Sequence, residues 1–317
     1  MAVPHRLESS RFNRALSVEN EELGMKLWQS MFPRIDEILA KLDGPYAAVV
    51  EERSSLRLDD RYLGAWRGGG LHRGAMATAG DALRTVQGIL EKNEVPMTAL
   101  YPLLRAAVEN ASLAIYLLAP ADRDTRLVRS YQVADDDAKW QCVFATNLGQ
   151  KHASATRTRS KVDIHNLISS RPSLGAPRAV KLGAPRYGDM VALADAAIAA
   201  DPAVSTPAGM PLLAWWQLMS GMSHGKQWAL IAALERSGAI EDAADESAHV
   251  KLTSSTVMVG FALQRAVETL ETALRLYGQR SKSAWAQPED ASEPVSETPA
   301  QLRETRRVAL NMSKARD

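Results

Sequence analysis

The chain has 317 residues, 46% of them apolar and 24% charged, a composition that supports a substantial core in one large domain or two modest ones. Its 38 basic and 37 acidic residues leave a formal charge of +1, so no global field favours nucleic acid or a membrane surface. One cysteine, Cys142, excludes an internal disulfide framework and a thiolate metal cage. It sits in the apolar run Trp140-Gln-Cys-Val-Phe144 and reads as a core thiol rather than a nucleophile. No stretch approaches ~20 uninterrupted apolar residues, so no membrane span is expected. The opening Met-Ala-Val-Pro-His-Arg-Leu-Glu lacks the apolar core of a signal peptide, which makes the cytoplasm the expected location.

Helical periodicity dominates the chain and alternating strand patterns are scarce. After a flexible N-terminus (1–18), residues 19–42 place Leu23, Leu27, Met31, Ile35, Ile38 and Leu42 at three- and four-residue steps. Pro33 there predicts either a kink or two short helices. Helices follow over 75–92 and 97–118, separated by Asn93 and Pro96. Another, capped by Asp122 or Asp124, runs to about 149. An alanine-rich helix covers 187–200, and two long helices cover 209–236 and 251–279, with an acidic linker between them. The expected architecture is an all-α, up-and-down bundle of about eight helices in a single domain over 19–280, with 97–118 and 209–236 at its centre. Residues 281–317, polar and rich in proline, read as a disordered tail.

Two of these helices are apolar almost all round but carry a narrow polar stripe. At about 100° per residue, Arg105, Glu109, Ser112 and Tyr116 fall within roughly 60° of one another. In the second, Gln217, Ser220 and His224 align. Buried polar groups cost free energy unless paired, so the stripes should face each other or a ligand. Arg105 and Glu109, spaced i,i+4, can bridge on one face. Such a bridge either fixes helix register or forms part of an anion-binding or catalytic cluster. His224, set among Gly221, Ser223 and Gly225, is either a satisfied core histidine or a general base. No second histidine lies at i+3 or i+4, so no zinc site is expected, and no cofactor is implied.

Two further segments stand out. Trp66-Arg-Gly-Gly-Gly-Leu-His-Arg-Gly74 could offer backbone N–H groups to a phosphate, but it lacks the Lys-Ser/Thr of a P-loop and reads better as a flexible connector before a helix near Ala75. Residues 151–188 hold eight basic residues against the single acid Asp163, and contain Leu-Gly-Ala-Pro-Arg twice. That density of proline and glycine predicts an extended, mobile loop. Within it Arg171, Arg178, Lys181 and Arg186 are candidate contacts for RNA or an acidic protein partner, without interleaved aromatics for stacking bases.

The Arg-x-x-x-Glu helix ending in Tyr-Leu-Leu-x-Pro, with the later Ser-Gly-x-x-His-Gly-x-x-Trp, resembles bacterial all-helical proteins over roughly 75–235. It is also loosely similar to HEPN domains, many of which are metal-independent ribonucleases of defence systems. The resemblance implies an arginine and a histidine acting together on RNA. In that family both lie on one helix, whereas here no arginine stands four to seven positions before His224, so Arg105 would supply the cation from another helix. On this reading Arg105, Glu109 and His224 are catalytic, with Ser220, Gln217 and Tyr116 binding, in a chain that could form a homodimer. The other reading is a non-enzymatic interaction protein whose polar cluster is structural.

Overall fold

The architecture is all-α, organised around two long helices that cross the middle of the molecule. The structure is a computed structural model; it describes residues 21–43, 50–63, 68–151, 153–174, 183, 185–201, 204, 210–242 and 247–283. The expected flexible N-terminus, the tail beyond 283, and Arg178 and Lys181 lie outside these residues. Among the described residues there are ten α-helices: α1 (Glu21–Asp43), α2 (Ser55–Leu63), α3 (Gly68–Leu90), α4 (Leu100–Leu118), α5 (Arg123–Asn147), α6 (Ala153–Ser169), α7 (Tyr187–Ala199), α8 (Leu212–Ser223), α9 (Gln227–Ala233) and α10 (Thr256–Ser281). None is long and apolar enough to cross a membrane.

Helix α4 is buried on nearly every side, as its sequence demands. Leu104, Ala107, Val108, Ala111 and Ile115 are fully inaccessible, and α3, α7, α8 and α10 all pack against it. Pro102 falls in its first turn, where the missing N–H would have had no helical partner. Guanidinium groups take carbonyls at and just beyond its C-terminal end, Arg280 Nε donating to Leu118 O at 3.3 Å. Arg126 Nη1 donates to Pro120 O (3.0 Å) and Ala121 O (2.8 Å), and Arg280 Nη2 donates to Pro120 O (3.0 Å). Positive charge at a helix C-terminus also complements the macrodipole.

The second central helix is α10 rather than 209–236. It lies along α4 and α1, and Val259, Leu263, Ala266, Val267 and Leu270 are fully buried. Helix α1 approaches it closely: a Cβ on Gly260 would stand 2.9 Å from a Leu27 methyl, and one on Gly24 would overlap Thr256. Pro33 lies inside α1, which runs through it as one helix rather than two. Of the two candidate caps for α5, Asp122 is used, accepting from Thr125 N at 2.7 Å. Ser255 caps α10 in the same way.

Several sequence expectations are corrected. The helix expected over 209–236 ends at Ser223, resumes as α9, and gives way to an antiparallel hairpin of β1 (Leu234–Asp242) and β2 (Ser247–Ser254). That hairpin also takes the first residues of the helix expected from 251. Gly68–Gly74 form the first two turns of α3 rather than a connector. The basic stretch is not a loop throughout, since 153–169 is helix α6, packed antiparallel to α5 around Leu127, Tyr131, Ile164 and Ile168. Cys142 is half-buried on α5 rather than in the core. Helix α10 continues to Ser281, the first residue assigned to the tail.

Candidate functional site

The site forms where one face of α4 meets the end of α8. Arg105 and Glu109 are one turn apart on α4, and Arg105 Nε donates to Glu109 Oε1 at 2.9 Å. The same carboxylate oxygen accepts from the Trp216 indole, Nε1 to Oε1 2.8 Å. With Nε held by Glu109, the guanidinium turns Nη1 toward His224, 3.4 Å from Nε2. Arginine has no acceptor, so this contact is a hydrogen bond only when Nε2 carries a lone pair and the ring proton sits on Nδ1. At 3.4 Å it is longer than the usual 2.9–3.0 Å of an N–H bond. The guanidinium is therefore fixed at one edge and loosely engaged at the other.

The backbone explains why His224 is presented to solvent. It is the residue that caps α8, where the chain closes a Schellman turn: Lys226 N donates to Gly221 O (2.8 Å) and Gly225 N to Met222 O (3.2 Å). Gly225 takes φ +61°, the left-handed conformation that glycine adopts without a Cβ penalty. His224 is thus exposed at a helix end, not buried in mid-helix as the apolar pattern around it suggested. Gly221 serves packing, since a Cβ there would stand 2.6 Å from that of Ala229 on α9.

Sequence reasoning missed two members of this neighbourhood. Trp216 counted as apolar, yet it stands two turns before His224 on the same side of α8, and a part-buried indole N–H generally finds an acceptor. Tyr187, the first residue of α7, opens the helix expected over 187–200 and was not among the candidate site residues. Burial pushes its phenol up from the ordinary value; the charges of Glu109 and Asp136 add to this, and Arg105 opposes it.

The remaining candidates are placed elsewhere. Tyr116, three turns from Arg105, donates to Gln132 Oε1 on α5 (2.8 Å) and lies beneath Arg129, 4.4 Å from its ring centre. Ser220 is half-buried and Gln217 exposed; the Ser220 carbonyl accepts from His224 N at 3.2 Å, but no described side-chain hydrogen bond joins either residue to the cluster. Arg171 is packed rather than free, bridging Asp124 at 2.5 Å and stacking 4.3 Å above the Tyr62 ring. Arg186 is exposed immediately before α7. Among the described residues, no three His, Cys, Asp or Glu side chains gather to hold a metal ion. No family model, curated protein or solved structure matches the chain.

Proposed function

We propose that Arg105 and His224 form a metal-independent site for cleavage of RNA, with the character of a HEPN-like nuclease whose arginine comes from a second helix. The observation that carries this reading is the Arg105 guanidinium 3.4 Å from His224 Nε2, at an exposed helix end. A neutral imidazole there is a base within reach of a hydroxyl that solvent can also reach. Nε2 takes the proton of a ribose 2′-hydroxyl, O2′ bonds to the adjacent phosphorus, and the bond to O5′ breaks. The leaving O5′ takes a proton from water, giving a 2′,3′-cyclic phosphate and a 5′-hydroxyl. The added charge on the phosphoryl oxygens falls beside Arg105, which Glu109 holds in place through Nε.

The test is cleavage of a labelled single-stranded RNA by the full chain in the presence of chelator, with the product ends identified. Expected are cyclic phosphate termini, and a loss of about 10²–10⁴-fold in His224→Ala, the range general acid–base catalysis supplies. Cleavage unchanged in both His224→Ala and Arg105→Ala, or absent in the parent chain, refutes the proposal. In the latter case the cluster is a register pin between α4 and α8.

A further inference from the structure

We propose that the ring of Tyr187 seats an unpaired base next to the phosphate held by Arg105, which makes single-stranded RNA the substrate class of this site. This rests on the RNA reading given above. Helix α7 opens against the indole that anchors the cluster. A Cβ on Gly188 would stand 3.7 Å from the Trp216 ring, and the Trp216 indole donates to Glu109 Oε1, the oxygen that also holds Arg105 Nε. Tyr187, one residue before Gly188, is thereby set at the rim of the site. The charges of Glu109, Asp136 and Arg105 all act on its phenol, yet its side chain is 49% exposed. An aromatic ring beside a phosphate-binding cation holds a single strand by stacking, which every base permits because every base has a π-face. In a duplex that face is covered by neighbouring pairs, so only an unstacked base can reach the ring.

The surrounding charges decide which part of the strand lies on the ring. Glu109 and Asp136 face the phenol and disfavour a phosphate there, so the ring takes the base and not the backbone. Arg186, exposed just before the helix, is in no ion pair among the described residues. It is the free cation for the neighbouring phosphate, whereas Arg171 is spent on Asp124. Asp189, the acid in the first turn of α7, stands about 200° round the helix from Tyr187 and so on its other side. A strand with its reacting phosphate at Arg105 thus meets, in order, a ring for its base and a second cation.

Fluorescence anisotropy of a labelled 2′-deoxy single strand with the full chain tests this, because that strand lacks the hydroxyl that cleavage consumes and reports binding alone. The parent is expected to bind it more tightly than the same strand in a duplex. Tyr187→Ala should weaken binding about tenfold, within the range that loss of one base–aromatic stack costs. Tyr187→Phe, which keeps the ring, should bind as the parent does, with helical circular dichroism unchanged in both. Strands made abasic at each position in turn should bind the parent worse at one position, and that penalty should vanish in Tyr187→Ala. In RNA cleavage, Tyr187→Ala should raise KM about tenfold and leave kcat close to that of the parent. A parent that binds no single strand, Tyr187→Ala binding as the parent does, Tyr187→Phe losing as much as Tyr187→Ala, or abasic penalties that are the same with and without the ring each overturn the proposal. The two readings fail separately: a chain that binds through Tyr187 and cuts nothing loses the cleavage chemistry alone, and one that cuts RNA equally well as Tyr187→Ala loses this subsite alone.

Discussion

Two arginine–carboxylate clusters in this molecule differ in how completely the guanidinium is used. At the end of α4, Arg126 donates to Asp59 through Nε (2.7 Å) and Nη2 (3.1 Å), and its Nη1 reaches two backbone carbonyls. Arg123 adds a second cation at 3.2 Å, and the Arg126 and Asp59 side chains are almost inaccessible. Near the end of α8, Arg105 uses one edge on Glu109 and is about a quarter exposed, with its other edge toward a solvent-facing histidine. A guanidinium whose donors are spent on the fold has little left for a ligand. One that is anchored by Nε alone keeps donors for an incoming anion. The first cluster is therefore spent on the fold, and the second is the one that keeps donors for the chemistry proposed above.

The largest effect should come from the saturated cluster. Arg126→Ala leaves Asp59 buried and takes the donor from the Ala121 carbonyl just beyond α4. The expected loss is about 3–5 kcal/mol in denaturant unfolding, the cost of removing one partner of a buried pair. If Arg126→Ala and Arg105→Ala destabilise equally, the contrast between the clusters fails.

Glu109→Gln should cost less in stability and more in function. A glutamine oxygen still accepts from Trp216, so the expected loss is about 1 kcal/mol. The guanidinium, however, loses its charged anchor, and RNA cleavage should fall with the KM for RNA little changed. His224→Ala should shift stability by no more than about 0.5 kcal/mol, as befits an exposed side chain. A melting temperature strongly lowered by His224→Ala would place the histidine with the structural cluster.

The contrast also explains what the residues could reveal in advance. Helix α4 was legible because Leu104, Ala107, Val108, Ala111 and Ile115 repeat at helical spacing, and because Arg105 and Glu109 are neighbours on one turn. The Asp59–Arg126 pair spans 67 positions, and no local pattern encodes it. His224 was found as a residue but misplaced, because the apolar rhythm on both sides masked Gly225 as a C-terminal stop. The hairpin escaped notice for a related reason. Leu-Glu-Arg-Ser-Gly-Ala-Ile-Glu-Asp has no strict alternation, and its ladder carries a register shift between Ser237 and Ile240. In α6, helical spacing of Ser160, Ile164 and Ile168 lay beneath a high density of positive charge, so the charge was read and the period was not. Arg157 shows what that charge does in part, since it bridges Asp135 on α5 at 2.9 Å.

The smallest predicted effect concerns the packing of α5 against α2 and α6, and it is read by pH. Tyr131 is fully buried and its hydroxyl donates to Tyr62 O at 3.3 Å. Burial pushes its phenol up to about 12, with the positive charge of Arg171 pulling the other way. The group is an acid whose pKa is higher in the folded chain than in the unfolded one. Its neutral form therefore favours folding; that contribution is complete below the ordinary value near 10 and is lost as pH rises toward 12. Absorbance titration of the phenolates should show Tyr131 ionising last, together with loosening of the α5–α6 pair. Replacing it by phenylalanine should remove this alkaline step while leaving the Arg105–His224 site and its activity unchanged. If Tyr131 instead titrates near 10 with the helices intact, the packing around it is open to water. The sheltered half of α5 would then differ little from the exposed half beyond Ala138.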